Sequence, residues 1–399
     1  MERQHIAVFT LLGNGHVYPV LPLCAELVKH GHRVTYATNE QYAPLVAEVG
    51  AETVLFRRDA NEKMTIDSLL LMDESREREM EKSWQSHFFA EAAAQLLQVD
   101  TFYRENAPDL ILYDRYHLPG RILAKRLDIP LVQISPHFAH YNNLACRVDG
   151  VCQNPEAIVE WSKKVDAFLS THGISTPGSF WHIENLNIHF IPREFQHNGD
   201  WFDERFCFVG SLLDRPFRPM WTDTSNGRPI ILISGASLLS GTRLDSSDYF
   251  DILIDALSGL PYHCVLSLGD GDLSRTLPPN FELNRHASHL EILPHAALSI
   301  CHGGMGSVLE AVYNGVPVLM IPLVRGCEEV AYRTQELGIG VGIPKPALSL
   351  EGIRSAVSEM LHDLSLRNRV KSMRDIFRRS GGAELAMRRI ETYLAESAP

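Results

Sequence analysis

At 399 residues the chain is about twice a typical domain, so two domains are expected, and 45% hydrophobic residues suffice for substantial cores. A net charge of -12 argues against nucleic acid or an anionic membrane surface as the main partner, and no apolar run reaches the ~18 residues of a membrane span. Seven cysteines without CxxC spacing read as reduced thiols of a cytoplasmic protein.

The N-terminal MERQHIAVFTLL passes directly into a strand, residues 5–12, with no small-residue cleavage site, so a mature start is expected. Gly13-Asn14-Gly15-His16-Val17-Tyr18-Pro19 follows, then a helix over 20–30 with Val20, Leu21, Leu23, Cys24, Leu27 and Val28 on its apolar face. Gly31 ends it and residues 33–37 form the next strand. This βαβ start lacks G-x-G-x-x-G, and no acidic residue ends its second strand, which argues against a dinucleotide site and an NAD(P) oxidoreductase.

His16 is expected in the loop beyond the first strand, where α/β proteins place ligands. Residues 110–113 form a strand ending in Asp114. Two parallel strand ends can bring Asp114 to His16, and a carboxylate on one ring nitrogen raises the basicity of the other. Plainer roles remain open: a packing histidine, and a carboxylate that caps the following loop.

Residues 61–99 read as a long, charge-rich, largely helical stretch, with Glu74 to Lys82 as a solvated face. Trp84, His87, Phe88 and Phe89 cluster, either as core or, through Trp84 and Phe88, as the lining of an apolar acceptor pocket. A helix over 122–127 and a strand over 130–135 follow. His137, His140, Tyr141 and Asn142 come after that strand end and are candidates for the same site, His137 and Tyr141 as acceptor contacts. Residues 154–172 are helical, and 187–191 and 206–209 are short strands. The Pro-rich, polar segment 213–228 reads as a linker between a domain at 1–212 and one at 229–380.

The second half restarts the alternation with a strand at 229–234, ended by Gly235-Ala236-Ser237. A helix over 248–257 and strands at 263–268 and 281–284 lead to HGGMGSVLEAVYNGVPVLMIP, residues 302–322. An apolar strand, 296–301, feeds Gly303, Gly304 and Gly306, a helix running to Asn314-Gly315, and another strand over 316–321. Glycines at a helix start leave backbone N–H groups open to an anion, and His302 and Ser307 can add hydrogen bonds to phosphate oxygens. Glu310 can accept from ribose hydroxyls. A tight turn and a satisfied strand-end histidine are the bland alternative. The fold class expected is α/β, two Rossmann-like doubly wound domains facing an interdomain cleft, closed by a C-terminal helix in 381–399 that packs back on the first domain.

GHVYP, PDLILYD and HLEILPHAALSICHGGMGSVLEAVYNGVPVLMIP together resemble the family-1 glycosyltransferases of the GT-B fold, most closely the bacterial branch acting on macrolides, flavonoids and other natural products. The resemblance implies an inverting, metal-independent sugar transfer with His16 as general base and Asp114 orienting it. It places His302, Gly304, Gly306 and Ser307 on the diphosphate, Glu310 on the ribose and Ser237 near the diphosphate. Ala287 and His289 fall in the base-binding segment, where the family's usual Gln is replaced by His289. Its Asp/Glu-Gln pair for the donor sugar falls at Gly326-Cys327, which argues against plain glucose, with Arg325, Glu328 and Glu329 nearby as surface charges or as contacts to a modified sugar. His286 and His289 have an H-x-x-H spacing, but a metal site is not expected.

The expected partners are a nucleotide-diphosphate sugar, UDP or TDP, as co-substrate and a small hydrophobic acceptor, with no other cofactor, no nucleic acid and no membrane insertion. A catalytically altered helper protein is the alternative, motivated by the missing donor pair and opposed by the retained His16 and Asp114.

Overall fold

The computed structural model describes residues 2–57, 74–140, 155–175, 182–213, 220–235, 246–268, 273, 275–285, 287–322 and 325–397, without side chains at 74–86, 155–158, 246–248 and 325. The chain divides into two compact units. Among the described residues, 2–57, 85–213 and 379–397 form the first and 74–84 and 220–378 the second, so the helix over 74–105 is counted with the first by its larger part.

The first unit runs β1 (His5–Phe9), α1 (Asn14–Val17), α2 (Leu21–Lys29), β2 (Arg33–Thr38), α3 (Ala43–Glu48), β3 (Glu52–Leu55), α4 (Glu74–Glu105), β4 (Leu110–Asp114), α5 (Leu118–Leu127), β5 (Leu131–Ser135), α6 (Pro155–Ser170), β6 (Asn187–His189) and β7 (Phe206–Phe208). Its strands pair in parallel in the order β3-β2-β1-β4-β5-β6-β7. Every residue of β1 and β4 is buried, as expected of apolar runs covered on both faces. Gly120 lets α5 lie close on β1, since a Cβ there would stand 2.9 Å from the Phe9 Cβ.

The second unit runs β8 (Ile230–Ser234), α7 (Ser246–Leu257), β9 (His263–Ser267), β10 (Phe281–Asn284), α8 (His289–Ile292), β11 (Ala296–Cys301), α9 (Met305–Tyr313), β12 (Val318–Met320), α10 (Arg325–Glu336), β13 (Gly340–Gly342), α11 (Leu350–His362) and α12 (Leu364–Arg379). Its parallel sheet has the order β10-β9-β8-β11-β12-β13. The described part of the expected linker is not free. The Trp221 indole N–H donates to Glu282 at 2.6 Å, and the amides of Met220 and Trp221 both donate to Glu291 at 2.7 and 3.0 Å. Glu291 also closes the capping box of α8 with Ser288, so one side chain starts a helix and anchors the incoming chain.

The last helix, α13 (Gly382–Ser397), belongs to the first unit. Ala386, Met387 and Ile390 are buried in the core that also holds Leu21, Cys24 and Val209. Burying each of the larger two contributes about 1.5–3 kcal/mol. The Gly382 amide donates to the Val209 carbonyl at 2.8 Å, and His32 pairs with Glu391 at 3.2 Å. No helix among the described residues is long and apolar enough to cross a membrane.

Candidate active site

In the first sheet the strand order turns between β1 and β4, and beyond such a switch point the diverging connections leave a crevice at the carboxyl ends of the strands. The register pairs Phe9 with Tyr113, so Asp114 is the last residue of β4 beside the exit of β1. His16 was expected in an open loop; it sits instead in the one-turn helix α1, whose first turn returns its amide to the Gly13 carbonyl at 3.0 Å. Its Nδ1 lies 2.5 Å from Asp114 Oδ2. Asp114 is 2% exposed, and its other oxygen accepts from the Tyr116 amide at 3.0 Å. Burial, the largest influence, pushes this carboxyl up, but the His16 ring and the Tyr116 amide outweigh it and hold the group below its ordinary range. An ionised Asp114 takes the Nδ1 proton of His16 as a hydrogen bond, which leaves the Nε2 lone pair as a base.

His137, two residues after β5, brings its Nε2 to 3.5 Å from His16 Nε2. Its amide donates to Ser135 Oγ at 3.1 Å and its carbonyl accepts from His189 Nδ1 at 3.0 Å. The Tyr116 ring stands edge-on to both imidazoles, at 6.1 and 6.4 Å between centroids.

The second sheet turns between β8 and β11. The chain leaves β11 through His302, turns at Gly303 with φ of 83°, and enters α9 from Gly304. Gly303 is needed twice over: for its left-handed backbone, and because a Cβ would approach the Cys327 carbonyl to 3.1 Å. Gly304 is needed for space alone, since the His302 ring fills its side-chain position and Nε2 would lie 2.5 Å from a Cβ there. Among the described residues no side chain caps α9, Gly306 is exposed with nothing within 4 Å of its side-chain position, and Ser307 is half-buried. A helix start with uncapped, approachable amides can receive an anion. His302 is 6% exposed, its Nδ1 has no hydrogen-bond partner among the described residues, and burial, helped by the His289 ring, pushes its pKa down to about 4. It is therefore neutral at pH 7 and can offer one N–H to a phosphate oxygen.

The chain aligns from end to end with proteins of known activity. Residues 252–389 match the C-terminal domain of erythromycin biosynthesis protein CIII-like. The NDP-glycosyltransferase YjiC of Bacillus subtilis strain 168 is 32% identical over 100% of this chain and 99% of its own length. Demethyllactenocin mycarosyltransferase of Streptomyces fradiae is 29% identical over 100% of this chain and 88% of its own. The crystal structure of CalG4, the calicheamicin glycosyltransferase, superposes with a TM-score of 0.83 at 30% identity, covering 100% of both chains. The chain belongs to the GT-B natural-product glycosyltransferases.

Within this glycosyltransferase the remaining predicted positions are dispersed. Tyr141, Ser237, His286 and the side chains of Trp84 and Arg325 lie outside the described residues. Phe88 is 8% exposed and packs edge-on to Phe89 and Trp161, with centroids at 5.4 and 5.1 Å. Asn284 holds Ala287 at both its amide, 3.0 Å, and its carbonyl, 3.2 Å. His289 Nε2 lies 3.0 Å from Ser267 Oγ and its Nδ1 lies 3.3 Å from Glu310 Oε2, so it bridges β9 and α9. Gly326 is exposed and Cys327 is 5% exposed, its thiol pushed up to about 12 by burial. Glu328 and Glu329 are half-buried, and burial pushes Glu329 up to about 7. Sequence reasoning missed Tyr116, Ser135, His189 and Ser267, of which Ser135, His189 and Ser267 end strands of the two parallel sheets, the position from which such folds supply ligand contacts.

Four buried imidazoles give the glycosyltransferase a defined acid response. Burial is the first cause of a low pKa at His117, His137 and His302, each about 4, and at His189, about 3, against 6.5 for the free ring. Between pH 6.5 and 4 the unfolded chain therefore binds more protons than the native one, and stability falls as pH drops. Glu329 acts oppositely by one proton, because its native pKa lies above the unfolded 4.5. Urea midpoints measured from pH 7 to pH 4 are expected to fall steadily. A flat profile contradicts the neutral burial of these rings.

Proposed function

We propose that the protein moves a sugar, modified and deoxy sugars included, from a UDP or TDP donor to a hydroxyl of a small hydrophobic natural product, such as a macrolide or another polyketide, with inversion at the anomeric carbon. His16 Nε2 takes the acceptor proton and Asp114 orients the ring. The acceptor oxygen forms a bond to the anomeric carbon as the sugar–phosphate bond breaks and its electron pair leaves with the diphosphate. The amides opening α9, His302 and Ser307 receive the leaving charge, and Glu310 contacts the ribose; the role of metal is taken by helix dipole and imidazole. Relatives named as a mycarosyltransferase and an oleandomycin glycosyltransferase support the acceptor class. The observation that carries the reading is the 2.5 Å contact of His16 Nδ1 with a 2%-exposed Asp114 at a switch point.

A helper role is favoured by one feature: the donor-sugar pair of the family is represented by Gly326, which has no side chain, and by the buried Cys327. Mass spectrometry of a panel of UDP- and TDP-sugars against macrolide and phenolic acceptors, with calorimetry of UDP and TDP, separates the two. Glycosylated product supports the transferase. Nucleotide binding by neither, with no product, favours the helper.

A further inference from the structure

The proton inventory around His16 leads one step further. Asp114 is held below its ordinary range, so the bond at 2.5 Å puts a proton of His16 on Nδ1, and with His16 as the general base its Nε2 is the bare nitrogen. His137 Nε2 faces that bare nitrogen at 3.5 Å. Two bare nitrogens facing each other at this distance would repel, so the single proton of His137 is assigned to Nε2. Burial, the first cause, and the His16 ring push its pKa down to about 4, so it carries a single proton at neutral pH. Its backbone is held by Ser135 Oγ on the amide and His189 Nδ1 on the carbonyl.

A separation of 3.5 Å is longer than a good N–H···N bond. The gap is instead a seat for a third atom, because an oxygen at about 2.8 Å from each nitrogen completes a triangle on that base. Resting on the reading of His16 as the general base, we infer that His137 is a second catalytic residue: its Nε2–H donates to the acceptor oxygen while His16 Nε2 removes that oxygen's proton. The proton goes to His16, the oxygen's electron pair goes to the anomeric carbon, the sugar–phosphate pair leaves with the diphosphate, and His137 keeps its own proton throughout. As the oxygen acquires negative charge, its bond from His137 strengthens, so the interaction favours the transition state over the bound alcohol. A neutral imidazole suits this role, since an N–H of low acidity stabilises developing charge without surrendering its proton.

The full-length protein with His137→Leu and His137→Gln tests this. Gln carries an amide N–H to roughly the reach of Nε2, whereas Leu keeps bulk and loses the donor. Transfer from whichever UDP- or TDP-sugar of the panel above the parent uses is measured to an aliphatic alcohol, para-methoxyphenol and para-nitrophenol. Leu is expected to lower kcat about a hundredfold on the least acidic acceptor and less than about tenfold on para-nitrophenol, with Gln recovering part of the loss and the donor KM unchanged. A loss uniform across acceptor acidity, or Gln no better than Leu, overturns the assignment, because a structural role would give either. If the parent transfers to no acceptor, the function proposed above fails on its own. In a parent that does transfer, the ring ¹⁵N shifts of His137 decide the tautomer: Nε2–H agrees with the donor role and Nδ1–H overturns it.

Discussion

His16→Ala is expected to slow sugar transfer by about 10²–10⁴-fold while nucleotide affinity keeps the parent value. The ring has one nitrogen on Asp114 and the other facing His137, and the lone pair of the second is the base in the account above. Removing it leaves Asp114 buried with its Tyr116 amide bond but without its imidazole. Because His16 lies in a one-turn surface helix opening from Gly13, its loss should not unfold the unit. Asp114→Asn should cost nearly as much, since an amide can donate to Nδ1 and so move the ring proton onto Nε2. Rates from product mass and nucleotide Kd from calorimetry check both. A His16→Ala enzyme that transfers at the parent rate removes the base from the mechanism.

Gly304→Ala is expected to weaken nucleotide binding by more than tenfold. A methyl there meets His302 Nε2 at 2.5 Å, inside any real contact distance, so the ring must leave its place or the turn must open. His302 is buried, which limits its retreat. Losing a charge-assisted bond to phosphate costs about 1.5–3 kcal/mol, which sets the scale of the expected drop. Gly306→Ala is the control. Its side-chain position is open, and alanine favours the helix by about 1 kcal/mol, so the free protein should be no less stable. Calorimetry with UDP and TDP on both variants is the check, and equal, parent-like affinity of Gly304→Ala would contradict the placement of the diphosphate.

Much of this arrangement is legible in the chain because parallel strands covered on both faces must be apolar along their whole length. HIAVF, LILYD, IILIS and AALSIC announce β1, β4, β8 and β11, and the glycines after β1 and β11 mark where chemistry can reach the backbone. Asp114 follows as the partner of His16 because it ends a strand that returns beside the first. What stays hidden has weak local signal or depends on distant pairings. The strand Gly340–Gly342 is three residues, two of them glycine, and ETVL of β3 is short and half exposed. By contrast the stripe Leu366, Val370, Met373 and Phe377 that buries α12 has plain helical spacing. The contact of His189 with the His137 carbonyl joins residues 52 apart, and the bridge from Ser267 through His289 to Glu310 joins three elements. Neither follows from periodicity. His302 was legible as the residue between β11 and its glycine turn, but not that its ring would occupy the side-chain space of Gly304.

A single displacement, in which one activated oxygen attacks the anomeric carbon as the diphosphate departs from the opposite face, is the claim on which the roles of His16 and His302 both rest. The anomeric coupling constant in the proton NMR spectrum of the product, compared with that of the donor, tests it most directly. Opposite anomeric configurations in donor and product are the predicted result. The same configuration in both would rule out a single attack from the face opposite the diphosphate and would contradict the mechanism.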